Sequence, residues 1–432
     1  MPKIKCLRWW ICGILFLASS LSFLDRQVLS VVAPVMTDEF RMSNNAYSRV
    51  VNGFVLSYTV MFFLGGRLID WLGTRRGMAL SVGFWSTASA LHGFVQTPFQ
   101  LGVARFFLGV GEGGCFPGIT KGATEWFPRQ ERAQAVGLGI GGAAFGAVVA
   151  PIFTVWLISS FGWRGVFWTT GMIGWLWVLV WLILFRPPRR SPFITPKELA
   201  HIEQGDAGVE NNPAKENGDR KPLIPLRRLL RLRQVWGLMV IRFLVDPVFY
   251  FYMFWIPQYL NQERGLSLQR IGELTWIPFL FLGISNFVGG WISDRLVKSG
   301  VSVNTARKTI MAIAALITPF SVLAAYVSSA EMAVAFMSIL MLAHGFWITN
   351  YVTVISDLFG ANSVSTVMGL SGAFGGLGGI LGNQIIGVVT GQFSYLPIWI
   401  ASGCMYPLGL VILFFVVGPI RGIGIHVNTN EF

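Results

Sequence analysis

Long apolar runs alternate with short polar breaks along the whole chain. A helix needs about 20 apolar residues to cross the hydrocarbon core of a bilayer. Twelve runs of that kind occur, at 9–34, 46–68, 77–96, 99–120, 133–159, 164–186, 235–259, 271–293, 307–327, 332–356, 363–390 and 395–418. The pattern predicts an all-α membrane protein of twelve transmembrane helices in two six-helix bundles, residues 1–186 and 235–418. Residues 187–234 form the one long polar stretch and read as a central cytoplasmic linker, with a cytoplasmic tail over 419–432. The linker holds "RPPRRSP" and "RRLLRLRQ" around an acidic, Gly/Asn-rich middle, which predicts short surface helices whose arginines orient the chain and meet anionic lipid.

Composition agrees with this reading. Charged residues make up 12% of the 432 positions and hydrophobic ones 53%, against roughly 25% charged in soluble domains. The formal net charge of +13 suggests nucleic acid at first sight, but the basic residues sit between apolar runs. They crowd the linker and the breaks between spans 2–3, 4–5 and 8–9, as the positive-inside rule requires of cytoplasmic loops. Both termini are therefore expected in the cytoplasm, and nucleic acid is not an expected partner. Cys6, Cys12, Cys115 and Cys404 lie mostly within apolar runs, with neither disulfide nor metal spacing. The basic start "MPKIKCLRWW" leads into an apolar run too long for a signal peptide, so it reads as an uncleaved first span.

Six spans, a linker and six spans suggest a duplication, and one motif recurs at matching places. "GGRLIDWLGTRRG" (Gly65 to Gly77) follows span 2, and "GGWISDRLVKSG" (Gly289 to Gly300) follows span 8, with Arg307 and Lys308 before span 9. Paired glycines let helices approach closely, and the aspartate can bond across a helix gap in one conformation and let go in another. Gly66, Asp70, Arg75, Arg76, Asp294 and Arg295 are thus candidates for conformational gating. The double motif, the spans and the linker resemble the major facilitator superfamily over essentially the whole chain. That resemblance implies two bundles moving about a site near the bilayer midplane.

Ionisable groups at membrane depth cost ~2.5–3.5 kcal/mol each at a helix centre and mark functional positions by default. Span 1 reads "SFLDRQVLSVVAP", with Asp25 beside Arg26, and span 4 reads "ARFFLGVGEGGCFPGITKG", with Arg105 seven residues before Glu112. Seven residues bring two side chains to nearly one helix face, about 10 Å apart. Pro117, just beyond, is positioned to kink span 4. Two carboxylates and two guanidiniums sum to zero, so structural ion pairs bracing the bundle are one reading. The other divides the labour. Arginine stays charged and grips a carboxylate with a planar fork, so Arg26 and Arg105 are candidates for an anionic substrate. Carboxylates exchange protons, so Asp25 and Glu112 are candidates for proton coupling.

"FLDRQVLSVVAP", "ARFFLGVGEGGCFPG" and "EWFPRQERAQAVG" resemble the anion:cation symporter family. That resemblance assigns proton transfer to Asp25 and Glu112 and anion recognition to Arg26 and Arg105. "KIKCLRWW", "RFLVDPVFYFYMFWIPQYL" and "ISDLFG" are similar to its hexuronate branch. Galactonate transporters carry an Asn in span 11 where this chain has Ser371 and Gly372, and a Tyr where it has Phe23, which sets it apart from them. Tyr58 matches the family's aromatic hydroxyl, and reads either as a substrate contact or as packing. In the second half, Trp347, Asn350 and Tyr351 are candidates to stack on a sugar ring and bond its hydroxyls. His344, Asn383 and Gln384 are ambiguous between packing and contact, and Arg242 with Asp246 reads as an i,i+4 ion pair.

The resulting expectation is a secondary active transporter, a monomer in the bacterial inner membrane. It takes up a small anionic sugar acid together with protons, a hexuronate such as glucuronate or galacturonate, or a related aldonate. Its partners are that anion, protons and the lipid bilayer, and no cofactor is expected. No phosphate-cradling loop, metal cluster or nucleophile elbow is present in the sequence, so an enzyme is not expected. A proton-coupled drug or cation exporter would want an acidic, aromatic pocket instead of two arginines. A non-transporting membrane sensor on the same fold would want a partner site that only the linker offers.

Overall fold

The computed structural model describes residues 3–128, 131–210, 226–359 and 364–422, so the acidic middle of the linker and the end of the tail lie outside the described residues. Every regular element among them is helical. Two units emerge, one of residues 1–42 with 49–220, the other of 43–48 with 221–432.

Unit 1 contains α1 (Leu7–Glu39), α2 (Asn44–Leu72, its first turn counted with unit 2), α3 (Thr74–His92), α4 (Pro98–Glu112), α5 (Cys115–Trp126) and α6 (Arg132–Leu184). The linker adds a 3₁₀ turn (Pro188–Arg190), α7 (Pro196–Glu210) and α8 (Leu226–Leu229), the short helices its composition predicts. Unit 2 contains α9 (Arg233–Phe254), α10 (Ile256–Gln262), α11 (Leu268–Leu274), α12 (Trp276–Lys298) and α13 (Val303–Ile317), which continues as a 3₁₀ helix, Thr318–Ala325. Then come α14 (Ala330–Phe359), α15 (Val364–Gln392) and α16 (Leu396–Ile412), the last ending in a π turn.

By length and composition alone, eight described helices are able to cross a bilayer, or nine if bent α2 counts as one span. The twelve predicted passes are recovered once three local features are read. α6 is two passes run together, reversed at Gly162, whose φ of 67° only glycine adopts without strain. α3 is only 19 residues long and rich in Ser, Thr and Gly. The fourth pass is divided into α4 and α5 at Gly113–Gly114. The break therefore falls at the glycines and not at Pro117, which occupies the first turn of α5, where its missing N–H has no intrahelical partner to lose.

Helices in lipid gain little from apolar burial against each other, so close packing through small residues holds them. The same device appears in both units. α1 lies along the first half of α6, and a Cβ on Gly142 or Gly146 would run into the main-chain carbonyls of Phe16 and Ser20. α9 lies along α15 in the same way, with Gly378 against the Phe243 carbonyl and Gly382 against Pro247. This matched pairing of the first with the fifth pass and the seventh with the eleventh is the duplication made visible.

The start of α1 is closed from outside the helix. Cys6 supplies no side-chain cap, and the main-chain N–H groups of Leu7 and Arg8 both donate to Glu198 of α7, each at 3.0 Å. A carboxylate at a helix N-terminus satisfies orphan donors and meets the positive end of the helix dipole. Arg8 also reaches Glu131, at 3.1 Å, which His201 contacts at 3.0 Å. The linker helix is thereby tied to the beginnings of α1 and α6.

Candidate functional site

Adjacent residues on a helix point about 100° apart, and this separates Asp25 from Arg26. The Asp25 carboxylate turns to α3 and accepts a hydrogen bond from the Ser89 hydroxyl at 2.9 Å. Ser89 in turn shares a 2.9 Å hydrogen bond with Thr170, in the second half of α6. Arg26 turns to α4, where its Nε donates to Glu112 Oε2 at 2.5 Å. The same oxygen takes the Ser22 hydroxyl at 2.9 Å. Both members of the Arg26–Glu112 pair are buried, as is Asp25.

Glycine allows α4 to come this close. A Cβ on Gly111 would sit 2.7 Å from the Trp85 nitrogen of α3, and one on Gly109 would sit 2.6 Å from the Phe54 carbonyl of α2. The Ser81 hydroxyl donates to the Gly111 carbonyl at 2.7 Å across the same gap. Arg105, about two turns before Glu112 on α4, donates through Nη1 to the main-chain carbonyl of Asp25 at 3.4 Å. All four deep charges of unit 1 thus belong to one cluster, in which a guanidinium holds Glu112 and a hydroxyl holds Asp25.

Aromatic rings wall the Arg26 guanidinium. Its carbon lies 4.2 Å from the Tyr58 ring centroid, 4.7 Å from Phe23 and 5.3 Å from Phe54, and Tyr58 stacks on Phe54. Ring faces attract a cation without neutralising it. Two polar atoms here are buried without a hydrogen-bond partner, Arg26 Nη2 and Glu112 Oε1. Buried polar atoms left unpaired are uncommon and call for an explanation.

In unit 2 the predicted residues do not converge in that way. Trp347 packs edge-on against Tyr406, with ring centroids 5.5 Å apart. The Asn350 amide donates to the Phe346 carbonyl of its own helix at 2.9 Å and to Gly289 of α12 at 3.4 Å, leaving Oδ1 buried without a partner. The Tyr351 hydroxyl donates to the Leu238 carbonyl at 2.9 Å. His344 contacts the Tyr406 hydroxyl at 2.6 Å and stacks on Phe249. Trp255 donates to Asn383 at 3.0 Å. Arg242 and Asp246 form the i,i+4 pair that their spacing suggests, at 2.7 Å.

The duplicated motif is built differently in its two copies. Asp70 pairs with Lys121 of α5 at 2.8 Å, and Arg75 donates to the carbonyls closing α6, Leu182 at 2.5 Å and Phe185 at 2.8 Å. Arg76 is exposed. Gly65 makes the close approach, to the main chain of Gly113, whereas Gly66 has only Pro117 near, at 3.9 Å. In the second copy Arg307 bridges Asp294 at 2.8 Å and Asp357 at 3.2 Å, and Arg295 lies over the Trp291 ring. Sequence reading missed Lys121 and Asp357, which lie far along the chain from the motif. It missed Ser22, Ser89 and Thr170 too, because single hydroxyls in membrane helices carry no pattern.

The sequence profile of the Major Facilitator Superfamily matches residues 15–383. The chain is 28% identical to the hexuronate transporter of Escherichia coli strain K12, over all of this chain and 99% of that one. It is also 28% identical to the D-galactonate transporter of Escherichia coli O6:H1, over 95% of each. Among solved structures it is similar to a bacterial homologue of the human lysosomal transporter Spinster, with a TM-score of 0.72, 20% identity and 96% of each chain covered.

Proposed function

The chain belongs to the Major Facilitator Superfamily, and from that membership we propose that it takes up a sugar acid anion with protons. It is a multi-pass membrane transporter and not an enzyme. The proposed substrate is a hexuronate or a related aldonate, the class named for the relatives that the chain resembles along its length. The proposed setting is a bacterial inner membrane, with both termini cytoplasmic and the protein a monomer working by alternating access.

The observation that carries the reading is the half-satisfied pair of Arg26 and Glu112. Each keeps one buried polar atom unpartnered. A proton on Glu112 cancels its charge and weakens its hold on Arg26, and the released Arg26 then grips a substrate carboxylate. Arg105 is the second anion contact and Tyr58 the hydroxyl beside it. Asp25, held by Ser89, is the second proton carrier. Trp347, Asn350 and Tyr351 supply sugar contacts in unit 2, and the unpartnered oxygen of Asn350 fits a donated hydroxyl. Gly66, Asp70, Arg75, Arg76, Asp294 and Arg295 serve the gating that alternating access needs. Coupling follows because the substrate's charge and the Glu112 charge compete for one guanidinium.

The test is uptake by purified protein in liposomes that enclose a pH dye. Glucuronate, galacturonate, galactonate and gluconate are offered in turn, with and without an inward proton gradient. Accumulation of one of them with internal acidification is expected. Efflux of a lipophilic cation, with no acidification by any acid, would replace this reading with a cation exporter.

A further inference from the structure

Two more polar side chains of unit 1 are buried and unpaired, and neither has a part in the proton and anion exchange at Arg26. Gln27 follows Arg26 on α1 and is 1% exposed, and Thr154, in the first half of α6, is fully buried. Gln27 Nε2 and Thr154 Oγ1 have no hydrogen-bond partner. The other end of the Gln27 carboxamide is held, with Oε1 3.2 Å from the Ser30 hydroxyl one turn on. Threonine in a helix can return its hydroxyl to the carbonyl four residues back, as Thr59, Thr87 and Thr169 do at 2.7–2.8 Å. Thr154 makes no such bond, so its hydroxyl is both buried and unspent.

Helix register brings the two together. α1 and the first half of α6 run in the same direction, since their close approaches climb from Gly139 at Leu15 to Gly142 at Phe16 and Gly146 at Ser20. Seven residues make two turns, which return a side chain to nearly the same face ~10 Å further on. From Ser20 that step reaches Gln27, and from Gly146 it reaches Phe153, next to Thr154. Both unpaired groups therefore belong to the α1–α6 seam, two turns beyond its last glycine contact. Arg26 is one residue from Gln27, a step of about 1.5 Å along the axis and 100° around it. The seam thus adjoins the guanidinium whose Nη2 is itself unpartnered.

We propose that Gln27 and Thr154 form a subsite for a hydroxyl of the transported sugar acid, the acid's carboxylate lying on Arg26; this rests on the sugar-acid uptake proposed above. Polar atoms buried without partners are costly, and a ligand that supplies the partners recovers that cost. A hydroxyl donates and accepts at once, so it serves the carboxamide and the threonine together. It does so whichever way the carboxamide is turned about its last bond. A carboxylate only accepts, and an alkyl group does neither, so the seam reads the polyol part of the acid. A resident water has the same chemistry, and the experiment separates the two.

The experiment measures binding to the purified full chain by calorimetry. The probes are whichever of glucuronate, galacturonate, galactonate and gluconate the wild type accumulates, each beside its analogues lacking one hydroxyl at C2, C3 or C4. Gln27→Leu and Thr154→Val nearly keep the side-chain volume and remove the polar end. Each is expected to weaken the parent acid about 5- to 10-fold, the range of a neutral hydrogen bond. One deoxy analogue should bind the wild type and both variants equally, because it lacks the hydroxyl that they no longer read. Equal weakening of the parent and every analogue would overturn the subsite in favour of a resident water only, and no weakening at all would overturn it outright. If Gln27→Leu does not fold, Thr154→Val carries the same comparison. A wild type that accumulates none of the four acids would overturn the sugar-acid reading and this subsite with it, whereas accumulation with hydroxyl-blind variants sinks the subsite alone.

Discussion

Glu112→Gln is the perturbation that most directly separates the two uses of the buried pair. Glutamine keeps an oxygen where Arg26 Nε and Ser22 donate, at 2.5 and 2.9 Å in the structure, but removes the charge. Hydrogen bonds to a charged group contribute about 1.5–3 kcal/mol and neutral ones about 0.5–1.5, so the hold on Arg26 weakens by roughly 1–2 kcal/mol. If release of Arg26 precedes anion binding, the apparent Kd scales inversely with the released fraction. The variant should then bind the sugar acid about 5- to 30-fold more tightly than the ion-paired wild type. It should lose proton-driven accumulation while still exchanging labelled for unlabelled substrate. Binding is measured by calorimetry on purified protein, and accumulation and exchange in liposomes. Weaker binding with full accumulation would refute the argument and return Arg26–Glu112 to a structural brace. A stability control is informative, because removing one partner of a buried pair altogether, as in Glu112→Ala, should cost about 3–5 kcal/mol.

Two further outcomes follow from the packing. Ser89→Ala removes the donor that holds the Asp25 carboxylate, a charge-assisted bond of about 1.5–3 kcal/mol. Uptake should fall at least about tenfold, with recovery in Ser89→Thr and little change in thermal stability beyond that of Ser57→Ala, and equal uptake in all three would remove Ser89 from the mechanism. Gly142→Val drives a side chain into the Phe16 carbonyl and should abolish monodisperse protein on size exclusion. Gly137→Val, with open space at the same atom, should not. Normal behaviour of Gly142→Val would mean that α1 and α6 are not held by this contact.

The sequence by itself determined the solvent of each segment. Hydropathy reports how long each stretch prefers lipid, so the membrane class, the passes and the linker were legible from the run lengths. The deep charges were legible too, because the cost of a charge in hydrocarbon makes each one stand out singly. Where passes join or break was less visible. Gly162 merges two passes into one element through a positive φ that leaves no hydropathic mark, and the fourth pass divides not at Pro117 but at Gly113–Gly114, where a Cβ would run into Met61 and Ser81.

Only the tertiary structure decided the partners. Asp25 and Arg26 are neighbours in sequence yet bind different helices, because one helical step of 100° points them at α3 and α4. Arg105 and Glu112 share a face, but one meets a main-chain carbonyl and the other a guanidinium. Arg307 finds Asp357 fifty positions away. Such choices rest on which helices pack together, and that is set by where glycines admit a neighbour's backbone. Hydropathy varies along one dimension, whereas the charge pairs are fixed across the bundle.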